Sequence, residues 1–270
     1  MRALKIGILN VMHDKLATNQ RLRNALTASG LPVELHFYYP TQHYQDRPVP
    51  EAVSAILQPL DLALAADMDG FIITGAPIET IAFDDVTYIE ELRALLATLD
   101  QHHVTQLYLC WGAMAALDYF YKIRKDILPH KLFGVYPQKI RMQTPLLTGL
   151  RDGFTAPHAR YAEMNQAQIA RDPDLTVAAT TVNDELFLVE NAARRQTFLF
   201  AHLEYGRLGL MQEYEREVAA HPERTYRKPE NYFADPAAMC GPEFSWADTQ
   251  RLFFANWLTR VQEPVAMTEH

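Results

Sequence analysis

The chain has 270 residues, of which 49% are hydrophobic and 21% are charged, a composition typical of a globular protein with a sizeable core. The formal net charge is −8 and the basic residues are scattered, so we expect no nucleic-acid partner. The sequence lacks both a run of about eighteen apolar residues and the pattern of a secretory signal peptide, so we expect no association with a membrane.

Apolar strand segments alternate with amphipathic helical segments in the first half of the chain. Taken in order, the predicted elements are a strand at 4–12, a helix at 19–30, strands at 32–39 and 69–77, a helix at 86–103, a strand at 104–110 and a helix at 111–123. This alternation is typical of an α/β protein with a mostly parallel sheet flanked by helices.

The second half of the chain gives a different pattern. Residues 130–200 contain short β-like runs that we expect to add strands or a separate edge to the sheet. A helix is predicted at 207–221, an extended loop rich in proline and glycine at 222–245, and a final helix at 246–261. No internal repeat and no clear domain boundary interrupts the chain.

The segment "LYLCWGAMAAL" (107–117) places Cys110 where a predicted strand turns directly into a helix. Ligands of open α/β sheets bind at this end of the strands. The first helical N–H groups and the positive end of the helix dipole would favour a thiolate and could hold an oxyanion. The arrangement resembles a nucleophile elbow, with Tyr108 where the first glycine usually stands and Gly112 at the second.

Two interpretations of Cys110 remain open from this stretch alone, a nucleophile or a small residue of the buried core. Cys240 lies in the proline-rich loop and follows no strand, so we expect it to have no chemical role. Two widely spaced cysteines do not form a disulfide framework, which favours the cytoplasm. Without a cluster of cysteine and histidine at ligand spacing, we expect no metal site.

A cysteine nucleophile needs a base, and His202 in "FLFAHLEYG" is the histidine that best fits this role. His202 also follows a predicted strand, and Glu204 two residues later could orient its imidazole. Five other histidines lie in polar surroundings and are expected on the surface: His43, His102, His103, His221 and His270.

These motifs together resemble the homoserine O-acyltransferase family, of the homoserine transsuccinylase type. The resemblance covers almost the whole chain, through the segments "LKIGILNVMHDK", "DGFIITGAPIETIAFDDVTYIEEL", "LCWGAMAAL", "KLFGVY", "APHARY", "HLEYG", "QEYERE", "NYF" and "LFFANWL". It implies a fold like that of class I glutamine amidotransferases, a flavodoxin-like three-layer arrangement. It also implies one acyltransferase domain over 1–270.

The resemblance implies a role for each matching residue. Cys110 would be the acyl-thioester nucleophile, His202 the general base and Glu204 its partner. Lys131 and Arg216 match substrate-binding positions, and a guanidinium suits an amino-acid carboxylate. From the residues alone, both would have been assigned to the solvated surface.

The position of Glu79 in "TGAPIET" separates acyl donors in this family, glutamate accompanying acetyl transfer and glycine succinyl transfer. A carboxylate there would repel the free carboxylate of a succinyl group, which favours acetyl-CoA as co-substrate. We expect no bound cofactor. We expect the backbone amides of Gly75, Ala76 and Trp111 to form the oxyanion hole.

The sequence departs from the family pattern in three places. It begins directly on its first predicted strand, where the family usually has a leader, and His13 stands where proline is typical. Ala159 replaces a serine tied to homoserine specificity in "APHARY", and some short members of the family acetylate L-serine. L-serine and L-homoserine both remain candidate acceptors, and the loss of the hydroxyl favours L-serine.

The predicted function is therefore a ping-pong O-acetyltransferase of cysteine or methionine biosynthesis, acting on small molecules and forming the homodimer usual in the family. Three alternatives remain: a homoserine O-succinyltransferase, a hydrolase like the glutamine amidotransferases, and a non-catalytic sensor of acyl-CoA or amino acids. The Cys110, His202 and Glu204 set argues against the sensor.

Overall fold

The computed structural model describes residues 2–264, and its elements follow the predicted alternation. The helices are α1 (Lys15–Thr27), α2 (Glu51–Ser54), α3 (Leu62–Ala66), α4 (Ile89–Gln101), α5 (Trp111–Tyr121), α6 (Gln166–Ile169), α7 (Gly209–Ala220) and α8 (Ala247–Gln262). The strands are β1 (Leu4–Leu9), β2 (Val33–Tyr39), β3 (Gln58–Pro59), β4 (Gly70–Ile73), β5 (Thr105–Leu109), β6 (Lys125–Ile140), β7 (Thr155–Met164), β8 (Thr176–Thr181), β9 (Leu186–Asn191), β10 (Gln196–Leu199), β11 (Phe233–Asp235) and β12 (Cys240–Pro242).

Ten of these strands form one mixed sheet in the order β3-β2-β1-β4-β5-β10-β9-β8-β6-β7. The pairs from β3 to β10 along this order are all parallel, and the pairs from β10 to β7 are all antiparallel. The β-like runs of 130–200 therefore extend the parallel sheet on one side. The predicted mostly parallel sheet is confirmed, with an antiparallel extension that makes it mixed.

Two apolar cores lie on opposite faces of the sheet and give the fold its three layers. Neighbouring residues of β4 alternate between them, as strand geometry requires: Ile72 packs in the core with Leu22 of α1 and Trp257 of α8. Ile73 packs in the other core, with Leu95 of α4 and Met114 of α5. The central strands are thus buried on both faces, which explains their almost continuous apolar sequence.

Most predicted boundaries differ from the structure by a few residues, and the strand predicted at 69–77 already ends at Ile73. Three differences have a clear physical cause. The first helix begins at Lys15, because the Asp14 side chain accepts a 2.9 Å hydrogen bond from the Ala17 amide and caps it before the apolar periodicity starts. The first strand ends at Leu9, because Val11 donates to the Thr74 hydroxyl and not to a neighbouring strand. The predicted loop at 222–245 also contains the antiparallel pair β11 and β12, too short for periodicity to detect.

The helices of residues 2–264 give no candidate membrane span, since none of them is both long enough and apolar enough.

Candidate active site

Cys110 lies in a tight turn between the end of β5 and the start of α5. Its backbone has φ +47° and ψ −111°, a conformation that costs energy for a residue with a side chain. Its amide donates a 2.7 Å hydrogen bond to the Leu199 carbonyl of β10, which holds the turn against the neighbouring strand. The strain and this bond are features of a nucleophile elbow.

Gly112 lets α5 approach β4 closely. A Cβ at this position would lie 2.8 Å from the carbonyl oxygens of both Ile73 and Thr74, so a larger residue would push the helix away. The first amides of a helix have no partner within the helix. The amide of Trp111 therefore lies next to the thiol, at the positive end of the α5 dipole.

The loop that follows β4 passes directly beside the cysteine. A Cβ on Gly75 would lie 3.3 Å from the Cβ of Cys110 and 3.5 Å from Cε1 of His202. Within residues 2–264, the backbone amides of Gly75 and Ala76 have no hydrogen-bond acceptor. The structure thus brings free amides of two loops together around Cys110.

His202 follows β10, the strand that pairs with β5 in parallel. Its Nδ1 lies 2.8 Å from Oε1 of Glu204, and its amide donates a 2.8 Å bond to the Pro157 carbonyl. The ring also packs against that of Tyr205, with centroids 4.6 Å apart and the planes tilted by 30°. These contacts hold the imidazole in one orientation beside the cysteine.

The electrostatics of this group favour a charged imidazole. Burial opposes a charge on His202, but interactions with Glu204 and Cys110 outweigh it and hold the pKa of His202 well above its ordinary value. Oε2 of Glu204 is buried and has no partner within residues 2–264, so the carboxylate acts through the oxygen that faces His202. The arrangement can hold a thiolate and an imidazolium side by side.

A cavity of about 580 Å³ opens above Cys110 and His202. Its lining includes six other residues that the sequence predictions named: Ala76, Glu79, Lys131, Ala159, Arg216 and His221. Glu204, Gly75 and Trp111 lie behind this lining, next to His202 and Cys110. The predicted site residues thus meet in one place, although they come from six separate parts of the chain.

Lys131 is buried, and not exposed as its residue type alone would suggest. Its Nζ donates to Oε1 of Glu213 at 2.5 Å and to Oε1 of Glu217 at 2.7 Å, both on α7. Burial lowers the pKa of Lys131, but the two carboxylates outweigh it and raise that pKa overall. The pKa of Glu213 falls to about 2, because Lys131 and His202 outweigh the effect of burial. Both groups are therefore charged at neutral pH.

Arg216 lies on α7 one turn after Glu213, with its guanidinium 3.9 Å from the Glu213 carboxylate. About a third of the Arg216 side chain is exposed, on the side that lines the cavity. The guanidinium keeps donor groups free, because its ion pair with Glu213 is long. A carboxylate in the cavity could therefore bind to it.

Glu79 also lines the cavity, on the loop after β4, and is buried. Its Oε1 accepts a 3.2 Å hydrogen bond from the amide of Tyr161 on β7. Burial raises the pKa of Glu79, with its backbone bonds and Lys131 opposing the shift. Ala159, two residues before Tyr161, faces the same cavity with its methyl group and offers no hydrogen bond there.

Glu213, Glu217 and Tyr161 also line the cavity and were not among the predicted site residues. Glu213 and Glu217 are four residues apart in "QEYERE", and Arg216 follows Glu213 by three, so Glu213 shares a helix face with both, and this spacing could have found the two glutamates. Tyr161 shares the strand face of Ala159 by the period of two. The burial of Lys131 between them left no signal in the sequence.

Cys240 and those histidines predicted to lie on the surface that fall within residues 2–264 take no part in the site chemistry described above. His102, His103 and Cys240 are exposed, as predicted, and His221 is exposed at the mouth of the cavity. The prediction for His43 is wrong, because its ring packs half-buried against Tyr44 and Tyr88. His270 lies outside the described residues, and residues 2–264 contain no metal-binding group of acidic, histidine and cysteine side chains.

Solved structures with a similar fold include glutamine amidotransferases. One from Thermotoga maritima has a TM-score of 0.65 at 9% identity and covers 97% of this chain and 100% of its own. Another, from Methylobacillus flagellatus, has a TM-score of 0.60 at 14% identity and covers 100% of this chain and 99% of its own. At such low identity these likenesses show the fold alone, and they confirm the predicted fold class.

Sequence comparison is more specific. The chain is 57% identical over 260 residues to a serine O-acetyltransferase of Lacticaseibacillus casei, covering 96% of both chains. It is 34% identical over 258 residues to a homoserine O-acetyltransferase of Thermotoga neapolitana, covering 96% of this chain and 84% of that one. The family model for homoserine O-succinyltransferase matches residues 1–266. The chain therefore belongs to the homoserine O-succinyltransferase family of acyltransferases.

Proposed function

We propose that this enzyme transfers the acetyl group of acetyl-CoA to the side-chain hydroxyl of L-serine. The observation that carries the proposal is one cavity that is lined by Cys110, His202 and the cationic Arg216. The 57% identical relative, and a second from Lactobacillus acidophilus at 51%, are named serine O-acetyltransferases, which supports L-serine. The homoserine O-acetyltransferase at 34% makes L-homoserine the second candidate.

The first half of the proposed reaction acylates the cysteine. The Cys110 thiolate attacks the thioester carbon of acetyl-CoA and forms a new carbon–sulfur bond. As the tetrahedral intermediate collapses, the bond to the CoA sulfur breaks, and the His202 imidazolium gives its proton to that sulfur. The products are the acetyl-cysteine and free CoA, with His202 neutral.

The second half transfers the acetyl group to the acceptor. Neutral His202 takes the proton of the acceptor hydroxyl, whose oxygen attacks the acetyl carbon. The bond to the Cys110 sulfur then breaks, which releases the O-acetyl amino acid and restores the thiolate beside the imidazolium. Glu204 stabilises the imidazolium in both halves, and the raised pKa of His202 is consistent with this role.

The oxyanion of each tetrahedral intermediate needs donors that are already in place. We assign this role to the backbone amides of Gly75, Ala76 and Trp111. The close approach of Gly75 to Cys110 and the free amides of the loop after β4 support the assignment. The dipole of α5 adds a partial positive charge on the same side.

The charges of the cavity suit a zwitterionic amino acid. Arg216 would bind the acceptor carboxylate with two parallel hydrogen bonds. Lys131 would act mainly through the carboxylates that it holds in place, since its Nζ already pairs with Glu213 and Glu217. The Glu217 carboxylate also lines the cavity and could face the acceptor ammonium.

Two further residues support the choice of substrates. The buried carboxylate of Glu79 would repel the free carboxylate of a succinyl group, which favours the acetyl donor. Ala159 offers no hydroxyl to an acceptor, so a longer side chain such as that of homoserine gains no hydrogen bond from it.

One experiment tests these assignments together. CoA release is measured with acetyl-CoA and succinyl-CoA, each in the presence of L-serine and of L-homoserine. We expect the largest kcat/KM for acetyl-CoA with L-serine. Faster turnover of L-homoserine would identify it, and not L-serine, as the acceptor. Faster turnover of succinyl-CoA would identify it, and not acetyl-CoA, as the donor. No release in any of the four assays, with ammonia release from glutamine, would overturn the proposal.

We also propose that the chain works as one acyltransferase domain, since the strands of a single sheet, the loops that follow them and α7 together supply the residues of the site. Its two free cysteines fit a reducing compartment and support a cytoplasmic location. The homodimer implied by the family resemblance stays a prediction, which sedimentation of the purified protein would test.

A further inference from the structure

A second cavity, of about 400 Å³, adjoins the catalytic cavity. Both are lined by Met12, Ala76 and Pro77, at the ends of β1 and β4. The second cavity runs from these shared residues between the start of α1 and two surface segments, at 40–44 and 85–88. We call it the Lys15 groove, after the lysine in its wall. Nothing in the proposed chemistry uses it so far.

The walls of the Lys15 groove are mostly apolar and aromatic. Val11, Ile78, Val86, Tyr44 and Tyr88 line it. An edge-to-face contact of 6.0 Å between Tyr88 and Trp111 links this wall to the residue that follows Cys110. A ligand composed of alkyl and amide groups would bury its alkyl groups against these walls.

Lys15 is the cation of this groove. Its Nζ donates a 2.8 Å hydrogen bond to the Asn10 carbonyl, and no carboxylate pairs with it within residues 2–264. Burial lowers the pKa of Lys15 to about 8, as expected for an ammonium that lacks a counter-charge. The carboxylate of Asp85, also in the lining, is exposed to solvent. The ammonium thus keeps donor capacity for a carbonyl or anionic oxygen in the groove.

The two cavities therefore differ in charge. The catalytic cavity carries the carboxylates of Glu79, Glu213 and Glu217 and the guanidinium of Arg216, which suit a small zwitterion. The Lys15 groove is mostly apolar and holds one ammonium without a carboxylate partner, together with the rings of His13 and His43 and the exposed Asp85, which suits a long neutral chain with carbonyl oxygens. A pantetheine arm has this character, with two amides and a dimethyl group, and its thioester must reach Cys110.

We propose that the Lys15 groove binds the pantetheine arm of the acyl-CoA donor, with Lys15 donating to a carbonyl oxygen of the arm. The thioester enters the catalytic cavity past Ala76 and Pro77, while the acceptor binds on the α7 side. The proposal rests on the proposed function, because it concerns the donor of that reaction.

Two variants of the groove test the proposal. Lys15→Met removes the ammonium, and Thr87→Trp narrows the groove from an exposed position that is not part of the core. Thr87→Ser is the matched control. Arg224→Ala tests the other side of the catalytic cavity, where Arg224 lines the mouth. Each variant is assayed with acetyl-CoA and with S-acetyl-N-acetylcysteamine, a thioester that lacks most of the arm.

We expect Lys15→Met and Thr87→Trp to raise the KM for acetyl-CoA about tenfold, because each variant loses one good contact with the arm. Their kcat/KM for the truncated thioester and their KM for L-serine should stay within about twofold of the wild type. Thr87→Ser and Arg224→Ala should leave the KM for acetyl-CoA unchanged.

Three results would overturn this inference while leaving the acetyltransferase itself intact. They are an unchanged KM for acetyl-CoA in both groove variants, equal losses with both donors, and a raised KM in Arg224→Ala alone, which would place the arm beside α7. Failure of the wild type to react with either thioester would instead refute the proposed function. Calorimetric titration of CoA into Cys110→Ala variants, with and without Lys15→Met, measures arm binding without turnover.

Discussion

The two sides of the catalytic cavity are built in different ways. The nucleophile side consists of loops that directly follow β4, β5 and β10, three neighbouring strands that all run in parallel. The acceptor side combines the antiparallel pair β6 and β7 with α7, and its central ion pair joins Lys131 to Glu213 across 82 positions of the chain. The first side uses a feature common to open α/β sheets, and the second depends on elements added to that sheet.

We expect the nucleophile side to determine the rate of the chemical steps and the acceptor side to determine the choice of acceptor. Changes on the nucleophile side should slow the reaction with every acceptor, because they alter groups that touch the reacting atoms. Changes on the acceptor side should alter affinity or preference and spare the acylation of Cys110. Variants of both sides, compared in the same assays, test whether the division holds.

The largest effect is expected for Cys110→Ala. Without the thiolate no acetyl-enzyme forms, and CoA release should fall by at least about 10⁴-fold with every acceptor. Stopped-flow assays of CoA release and the intact mass of protein mixed with acetyl-CoA measure this: only the wild type should gain an acetyl group. Cys240→Ala, at the exposed cysteine, is the control and should keep normal turnover. Near-normal turnover in Cys110→Ala would rule out the acyl-cysteine.

Glu204→Gln, also a change on the nucleophile side, should slow turnover about 10²- to 10⁴-fold. Glu204 raises the pKa of His202, so the amide variant should lose the imidazolium at lower pH than the wild type. Because the imidazolium stabilises the thiolate, alkylation of Cys110 by iodoacetamide should slow at neutral pH.

Alkylation rates from about pH 5 to about pH 9 measure this shift. Glu215→Gln, an exposed position of α7, serves as the control. An alkylation profile of Glu204→Gln identical to that of the wild type would show that Glu204 does not act through His202.

The nucleophile side was predictable from the sequence because its geometry is local. A strand that ends at Cys110 or shortly before His202 must present that residue at the carboxyl edge of the sheet, whatever the rest of the chain does. The order of β1, β4 and β5 follows from the same alternation of strands and helices. Chain order alone could not give the position of β10 next to β5, which joins the two groups.

The acceptor side was not predictable from residue pattern. Lys131 follows an exposed stretch and would be assigned to the surface, and its burial arises because α7 brings Glu213 and Glu217 to it. The antiparallel order β9-β8-β6-β7 likewise depends on pairings that no spacing in the sequence specifies. The family resemblance supplied Lys131 and Arg216 as substrate-binding positions, but it did not indicate that Glu213 lies between them.

Arg216→Lys should have an intermediate effect, confined to the acceptor. A lysine keeps the charge but loses the paired donors of the guanidinium, so the KM for L-serine should rise about 10- to 100-fold. The burst of CoA released in acylation, before the acceptor reacts, should stay unchanged. Steady-state and burst kinetics measure the two steps, with Arg251→Lys on α8 as the control. A slower burst in Arg216→Lys would show that the two sides are not separable.

Ala159→Ser should have a smaller effect that bears on acceptor choice alone. The added hydroxyl faces the cavity and could bind a longer acceptor, so the ratio of kcat/KM for L-homoserine to that for L-serine should rise about 5- to 10-fold. Competition between the two amino acids at limiting acetyl-CoA measures the ratio. Ala162→Ser, on the buried face of β7, controls for the effect of a hydroxyl on folding. An unchanged ratio would remove Ala159 from the determinants of specificity.

The smallest expected effect is a change in thermal stability, caused by a substitution at Glu79 in the lining of the cavity. Because the pKa of Glu79 is raised in the folded protein, folding weakens as pH rises through the interval between the usual value of 4.5 and that raised pKa. Glu79→Gln removes this cost and still accepts the bond from the Tyr161 amide, so its Tm should exceed that of the wild type by about 1 to 3 °C at neutral pH. Below pH 4.5 both forms are neutral and the difference should vanish. Thermal melts across this range decide the sign, since a Tm lower than that of the wild type at neutral pH would mean that the Glu79 carboxylate stabilises the fold in its charged form.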